Sequence, residues 1–560
     1  MAKPQFETYG APYDPKAHQI IYELLWFGRG GSENLSKQEH FKNICRLGYP
    51  RVANNWHRWY EMCLDAWCNY DELGMTGCAA AHKTFMFTLL GLTEWLAAPH
   101  KTRLILTAPT VPSLRGGVWA RIKEAYQEMQ GCVGRLPYNM VDSKTTLQFK
   151  KGDDENAVIA VAVDSGSIEQ SIGRIQGKHP ARVVILIDEA AQTQPAIFFA
   201  RSNLRTGTQF YRCAAIANAV DQFDAHGVFC EPKGGYGTIS VEDETWETKT
   251  GICLHFDGTK SPNVQLGEKR YPKLFSHEDL EQKRRDHGEN SREWWMYVRG
   301  FWPPTGLQDT VMDGAMINSG GARNTAQWQT GFKAKAFLDP AHTVGGDRCI
   351  LRFAKFGNLI EGPMAMALWD RIHIQLIEDP ANPKAYQICD RVIKECGERG
   401  VKPSDFGMDV TGAATLADML EQRWGGAVHR LSFGGAASDR TMSSKDSRPA
   451  KKVCANKVTE LWYRAARMVQ DGLIRQMDVG EAREFCIRRM KLMGERKVVE
   501  TKADMKERTK GISPDDADAV VGLCDMFANE HGGEAKAAGG KARTWEQQAK
   551  RYNLVESYAG

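Results

Sequence analysis

Residues 77–84 read Gly77-Cys78-Ala79-Ala80-Ala81-His82-Lys83-Thr84, a match to G-x-x-x-x-G-K-[ST] at every position but one, where His82 replaces the second glycine. A loop of this kind wraps backbone N–H groups around phosphate at a helix N-terminus, where the aligned peptide dipoles favour an anion. Lys83 would reach the outer phosphates of a nucleotide, and the Thr84 hydroxyl would hold Mg2+. Further along, the apolar run Val183 to Ile187 delivers Asp188 and Glu189 to the end of a strand. Two adjacent carboxylates there are costly unless paired or bound to a cation. Asp188 suits outer-shell coordination of Mg2+, and Glu189 suits a base that orients and activates an attacking water. Asn218, at the end of a third apolar run, is placed either to sense a terminal phosphate or to cap a turn. Arg174 and Lys178, in SIGRIQGKH, read as a solvated basic loop or as phosphate contacts, Arg174 reaching a neighbouring subunit.

The C-terminal half offers a different set, made of carboxylates. Asp339 closes AFLD before Pro340, Asp409 sits in FGMDV before a Thr-Gly turn, and Asp515 and Asp518 open the last strongly helical stretch. Asp515 and Asp518 are three apart and share a helix face. Asp516 reads instead as the N3 partner of a capping box begun by Ser513, with Pro514 at N1. Acids from two strands and a helix meeting at one point would hold two Mg2+ or Mn2+ ions, which activate water and stabilise the leaving oxygen in phosphodiester cleavage. Hard cations take oxygen ligands, so His and Cys are not needed. Asp347 is a weaker supporting candidate. Each acid alone is ordinary turn chemistry; their order along the chain is what points to a site.

The elements that must position these groups can be read from periodicity. TRLILTAPT (102–110), ARVVILIDEA (181–190) and QFYRCAAIANA (209–219) are nearly continuous apolar runs, as expected of strands buried on both faces of a parallel sheet with function at their C-terminal ends. FMFTLLGLTEWL after the phosphate loop has helical spacing. Trp56, Trp59, Tyr60 and Trp67 recur at roughly helical intervals and read as a core-facing stripe. Residues 276–300 are charged and helical, and the Gly-, Asn- and Gln-rich stretch 306–332 reads as a linker. AKAFLDP, a Gly345-Gly346 turn and RCILRFAKF predict a β-hairpin. Residues 488–510 and 443–452 are basic, as either solvated faces or sites that neutralise DNA phosphates.

Composition bounds the rest. At 560 residues, 42% hydrophobic and 25% charged, the chain can build two to four domains and is not globally disordered. The net charge of +4 leaves nucleic-acid binding to local patches. Fourteen cysteines without a CxxC pair exclude a zinc ribbon and read as reduced core thiols. With no apolar run of membrane length and no apolar leader, a soluble, intracellular protein is expected.

Taken in order, GCAAAHKT, RIQGKH with VVILIDEA, AIANAV with DAHGVF, VRGFWP, FLDPAHTVGGD, GMDVTG and SPDDADA resemble the large terminase subunit of tailed bacteriophages over about residues 45–530. The resemblance implies an α/β chain: a P-loop ATPase domain of the additional-strand kind (45–305), a linker (306–332) and a ribonuclease-H-like nuclease domain (333–530), between an N-terminal arm (1–44) and a flexible tail (531–560). It implies that Lys83 and Thr84 are Walker A residues, Asp188 and Glu189 the Walker B acid and catalytic base, Asn218 the coupling residue, and Asp339, Asp409 and Asp515 the nuclease acids, with Asp516 or Asp518 alternatives for the third. The implied cofactors are ATP and Mg2+, with Mn2+ possible at the nuclease site. The implied partners are double-stranded DNA, a small terminase subunit and the portal protein of a procapsid, on which a homo-oligomeric ring docks in the host cytoplasm; no membrane is involved. The same motifs also suit a helicase-nuclease of recombination or repair, and a non-catalytic, nucleotide-switched DNA scaffold is the reading in which the acids only cap turns.

Overall fold

A computed structural model describes residues 15–134, 136, 138–163, 173, 175, 180–307, 309–341, 347–360, 362–443, 446–509 and 511–531. The chain divides into two compact units, Met1–Gln308 and Asp309–Gly560. Arg174, Lys178, the Gly345-Gly346 turn and the tail beyond 531 lie outside the described residues.

The first unit is built on nine strands: β1 (Glu72–Gly77), β2 (Thr102–Ala108), β3 (Asn139–Val141), β4 (Thr146–Gln148), β5 (Val158–Ala162), β6 (Arg182–Ile187), β7 (Phe210–Ala217), β8 (Thr245–Glu247) and β9 (Ile252–Phe256). Their order is β3-β4-β5-β2-β6-β7-β1-β9-β8. The middle six pair in parallel, and the edges are antiparallel. β1, β2 and β6 are buried at every position, which accounts for the nearly continuous apolar reading of β2 and β6; β1, Glu-Leu-Gly-Met-Thr-Gly, carries no such run. The helix Lys83–Ala97 is buried from Met86 to Ala97 and comes so close to the sheet that a Cβ on Gly91 would lie 3.0 Å from Leu186. Its one buried acid, Glu94, is held by Lys37, by Arg182 at 2.7 Å and by the Trp67 indole at 3.2 Å.

The segment expected to be an arm is largely part of this unit. The helices Pro15–Arg29 and Lys37–Gly48, the second started by a Ser36–Glu39 capping box, place Phe27, Phe41 and Ile44 in the core that contains Leu73 and Trp95. Trp59 and Trp67, on the helix Arg58–Asn69, are core residues as expected, Trp59 stacked on Phe256 at 4.7 Å.

The second unit carries β10 (Lys333–Asp339), β11 (Cys349–Asn358), β12 (Met364–Ile374), β13 (Phe406–Asp409), β14 (His429–Leu431) and β17 (Ile474–Arg475) in the order β14-β13-β10-β11-β12-β17. Strands β10, β11 and β12 form an antiparallel meander, and β13 and β14 add in parallel beside β10, the ribonuclease-H-like arrangement. One face packs Leu338 and Met408 against Ile388, Val392 and Leu420 of the helices Lys384–Glu398 and Ala414–Trp424. Against Phe337 on the other face lies the helix Asp515–His531, so tightly that a Cβ on Gly522 would enter the Phe337 ring. Two small hairpins complete the unit: β15 (Thr441–Ser443) with β16 (Asp446–Pro449), and β18 (Met490–Met493) with β19 (Arg496–Val499).

The stretch expected to be a linker is structured from Asp309 onward. Asp313 caps the helix Gly314–Ser319 by accepting from the Met316 N–H at 2.8 Å, and Met312, Ile317 and Ala322 are buried in the second unit. Its polar composition conceals these apolar anchors, with Val311 and Met316 buried beside them. Among the described residues no helix is long and apolar enough to cross a membrane.

Candidate functional site

In the first unit the order β6-β7-β1 puts one strand between the acid strand and the strand that feeds the phosphate loop. That intervening strand ends at Ala217, so Asn218 emerges between the two. Lys83 donates to Asn218 Oδ1 at 3.0 Å and to the carbonyls of Gly77 and Cys78 at 2.9 and 2.6 Å. Thr84 Oγ1 donates to Asp188 Oδ1 at 2.9 Å. The predicted loop and the predicted acid are thus joined directly.

The loop conformation explains the odd residue. Ala80 and His82 have φ of 54° and 56°, the left-handed region that glycine adopts without strain. His82 is held there by a hydrogen bond between its Nδ1 and the Tyr60 hydroxyl at 2.8 Å. The loop start is anchored by Cys78 N–H to Phe256 O at 2.8 Å and Ala79 N–H to Tyr297 O at 2.9 Å. The N–H groups of Lys83, Thr84 and Phe85 open a helix and have no helical acceptor. Gly77 and Gly300 meet back to back: a Cβ on Gly300, whose φ is 60°, would come within 2.5 Å of the Cys78 nitrogen.

Burial pushes the Lys83 ammonium down to about 8, against the pull of Cys78 and Asp188. Burial likewise raises Asp188 to about 6; the Thr84 hydrogen bond opposes the rise and Glu189 adds to it. Glu189 is exposed with φ of 49°. A half-buried cation, a hydroxyl on a buried carboxylate and a free helix N-terminus make a site suited to a phosphate chain with its cation.

In the second unit the acids gather on a residue the sequence did not single out. Lys502 Nζ lies 2.9 Å from Asp339 Oδ2, 3.2 Å from Asp515 Oδ1 and 3.1 Å from Asp518 Oδ2. Asp339 ends β10 and Asp409 ends β13, one step beyond the Leu338–Met408 pair of these parallel neighbours, so the two occupy adjacent strand ends. Asp409 is partly exposed, its Oδ1 accepting from Thr411 N and Oγ1 at 2.9 and 2.7 Å and from Phe433 N at 3.2 Å.

The three helix acids part company. Asp515 accepts from Ser513 Oγ at 2.6 Å and from the Arg348 N–H at 3.1 Å. Asp518 Oδ1 takes the Trp462 indole at 2.8 Å and Arg488 at 2.9 Å, so this side chain is an anchor as much as a member of the cluster. Asp516 is no capping-box partner: it pairs with Arg348 at 2.7 Å and Arg371 at 3.4 Å, away from Lys502. Glu484 from another helix caps instead, accepting from the Ala517 N–H at 2.9 Å. Asp347 is held by Lys506 and by Ser513 Oγ at 3.2 Å.

Burial pushes Asp339 up to about 7, with Lys502 working against it and Asp518 and Asp515 adding to it. Burial also works to raise Asp518, but Lys502 and Arg488 outweigh it and hold that carboxyl below its ordinary value. The donors are all oxygens, the set a hard divalent cation takes. Among the described residues no group of His, Cys, Asp or Glu is spaced to hold a metal ion as the chain stands. The Lys502 ammonium fills the centre of the acids. Arg488 and Lys502 both come from the basic stretch 488–510, read in sequence as a solvated or DNA-facing run; two of its cations are turned inward onto carboxylates.

No family model and no curated protein matches this chain. Its structure is similar to that of large terminase chains. One, from a thermophilic bacteriophage in complex with ADP, aligns at a TM-score of 0.32 and 12% identity over 92% of this chain and 99% of that one. The nuclease domain of the large terminase subunit of bacterial virus Sf6 aligns at 0.29 and 16% identity over 38% of this chain and 97% of its own. A Thermus phage large terminase ATPase domain aligns at 0.32 and 11% identity over 45% of this chain and 97% of its own.

Proposed function

We propose that this chain is a viral DNA-packaging motor that hydrolyses ATP to move double-stranded DNA into a procapsid and cuts concatemeric DNA with a metal-dependent endonuclease. The observation that carries the reading is that one chain assembles both constellations its motifs announce: Thr84 on Asp188 beside Lys83, and Asp339, Asp515 and Asp518 around one point next to Asp409.

In the first unit, Lys83 would leave its carbonyl partners for the outer phosphates of ATP, and Thr84 and Asp188 would hold Mg2+ between them. Glu189, exposed beside Asp188, would orient the attacking water. Asn218, already bonded to Lys83, would report whether the terminal phosphate is present. In the second unit, Asp339 and Asp515, with Asp409 at the adjacent strand end, would hold divalent ions once Lys502 yields its place; Asp518 would help to fix them. Bound there, Mg2+ or Mn2+ would supply an activated water and charge for the leaving oxygen. Double-stranded DNA, a small terminase subunit, a portal ring and a homo-oligomeric assembly on the procapsid in the host cytoplasm complete the proposal.

Plasmid nicking and ATP turnover by the full chain with Mg2+ or Mn2+ test it. Turnover and nicking that are lost separately, in Lys83→Ala and Asp409→Ala, support two sites. The scaffold reading gains one observation, the neutralisation of three acids by Lys502; a chain that never nicks DNA in Mn2+ would favour it.

A further inference from the structure

The hairpin β18–β19 stands out from the second unit with an apolar tip. Leu492 is 67% exposed and Met493 52%, next to a two-residue turn begun by Gly494 at φ 63°. Cross-strand pairs share a face, so the register Leu492–Lys497 and Met493–Arg496 sets each apolar tip residue beside a cation. Lys497 lies over the Tyr463 ring at 4.4 Å, which turns its face toward the body of the unit. The opposite face presents Lys491, Met493 and Arg496. Neither Lys491 nor Arg496 forms an ion pair among the described residues. Residues 488–497 hold five basic side chains against the single acid Glu495.

The roots of this hairpin are in the acid cluster. Arg488, just before β18, donates to Asp518 at 2.9 Å and to the Glu500 carbonyl at 3.1 Å, tying both arms together. Lys502, three residues past β19, is the cation shared by Asp339, Asp515 and Asp518. A surface that carries phosphate-complementary charge, a narrow apolar point and a direct connection to the acids fits a nucleic acid better than a protein, because two side chains bury too little area for a stable protein interface.

We propose that the hairpin Met490–Val499 is a contact for double-stranded DNA, in which Lys491 and Arg496 engage phosphates while Met493, on the same outward face, enters the minor groove against a base step, with Leu492 beside it at the tip. An apolar wedge of this size parts stacked bases at flexible pyrimidine–purine steps, and cations on the same face hold the backbone beside it. The inference rests on the reading of the acid cluster as a DNA-cutting site.

The test uses the full chain, a short fluorescent duplex with 2-aminopurine at a TA step, and EDTA so that nothing is cut. Lys491→Gln/Arg496→Gln is expected to weaken binding roughly tenfold and to lower the slope of log affinity against log salt by about two. Leu492→Ser/Met493→Ser is expected to keep the slope and lose the rise in 2-aminopurine fluorescence that the wild-type chain produces. Both pairs are at the surface, and unchanged thermal melts verify folding. If wild-type protein nicks plasmid but both variants bind with its affinity and slope, the hairpin inference falls and the nuclease reading stands. If the wild-type chain causes no fluorescence rise, the wedge falls. If it neither binds nor nicks in Mn2+, both readings fall together.

Discussion

Lys502 Nζ sits 2.9 Å from Asp339 Oδ2 while also touching Asp515 and Asp518, so a single ammonium is shared by three carboxylates that would otherwise repel one another, with Arg488 taking part of the charge of Asp518. Three buried like charges cannot remain ionised together without such a partner or a metal ion.

Lys502→Ala should therefore destabilise the metal-free chain by ~2 kcal/mol, below the 3–5 of a fully buried pair because the lysine keeps 32% side-chain exposure. Mn2+ should raise the melting temperature of the variant more than that of the wild type. Equal shifts with Mn2+ would show that the lysine and the cation do not compete for the same oxygens.

At the phosphate loop, Thr84→Val keeps the shape of the side chain and removes the hydrogen bond to Asp188. Nucleotide affinity measured in Mg2+ should fall at least tenfold, with little change in EDTA, since the hydroxyl acts through the cation. An equal loss in both conditions would assign Thr84 to packing.

His57 should make acid destabilising. Its ring is buried against Tyr60 at 3.8 Å, and burial lowers its pKa to about 3, the charge on His82 contributing. Because the folded value is depressed below the unfolded one, the unfolded chain binds the extra proton; stability is full above about 6.5 and declines as pH falls toward 3. Between pH 6 and 4 this single group should cost on the order of 1–1.4 kcal/mol per pH unit. Urea titrations of His57→Phe should show a flatter profile by that amount.

Gly300→Ala should be poorly tolerated, because its φ of 60° and the nearby Cys78 nitrogen leave a methyl group nowhere to go. A loss of ~2 kcal/mol or more is expected from the backbone conformation and the overlap together. Denaturant midpoints of the full chain measure it.

Most of the first site could be read in advance because its parts are contiguous. The phosphate loop is eight consecutive residues, and Asp188 follows an apolar run that can only be a buried strand. The strand order that sets Asn218 between them is a long-range property, visible only in the folded chain. In the second unit the strand acids Asp339 and Asp409 were legible from turn and strand patterning, but the sorting of Asp515, Asp516 and Asp518 was not. It depends on Arg348, Trp462, Glu484 and Arg488, which come from three other segments. Lys502 was hidden for a different reason: in a run of lysines and arginines nothing local distinguishes the one that points inward. The structured stretch after Asp309 and the packing of the N-terminal helices into the core are not legible in the sequence because a few buried anchors, Phe27, Phe41 and Ile317 among them, are diluted by polar neighbours.

The tight apposition of Gly300 and Gly77 has a wider meaning. Thr76 also donates to the Gly300 carbonyl at 2.8 Å, so the underside of the loop is fastened to the bend that follows the turn Trp295–Arg299. With no side chain to cushion either glycine, any displacement of the loop at Gly77 must move the Gly300 backbone with it.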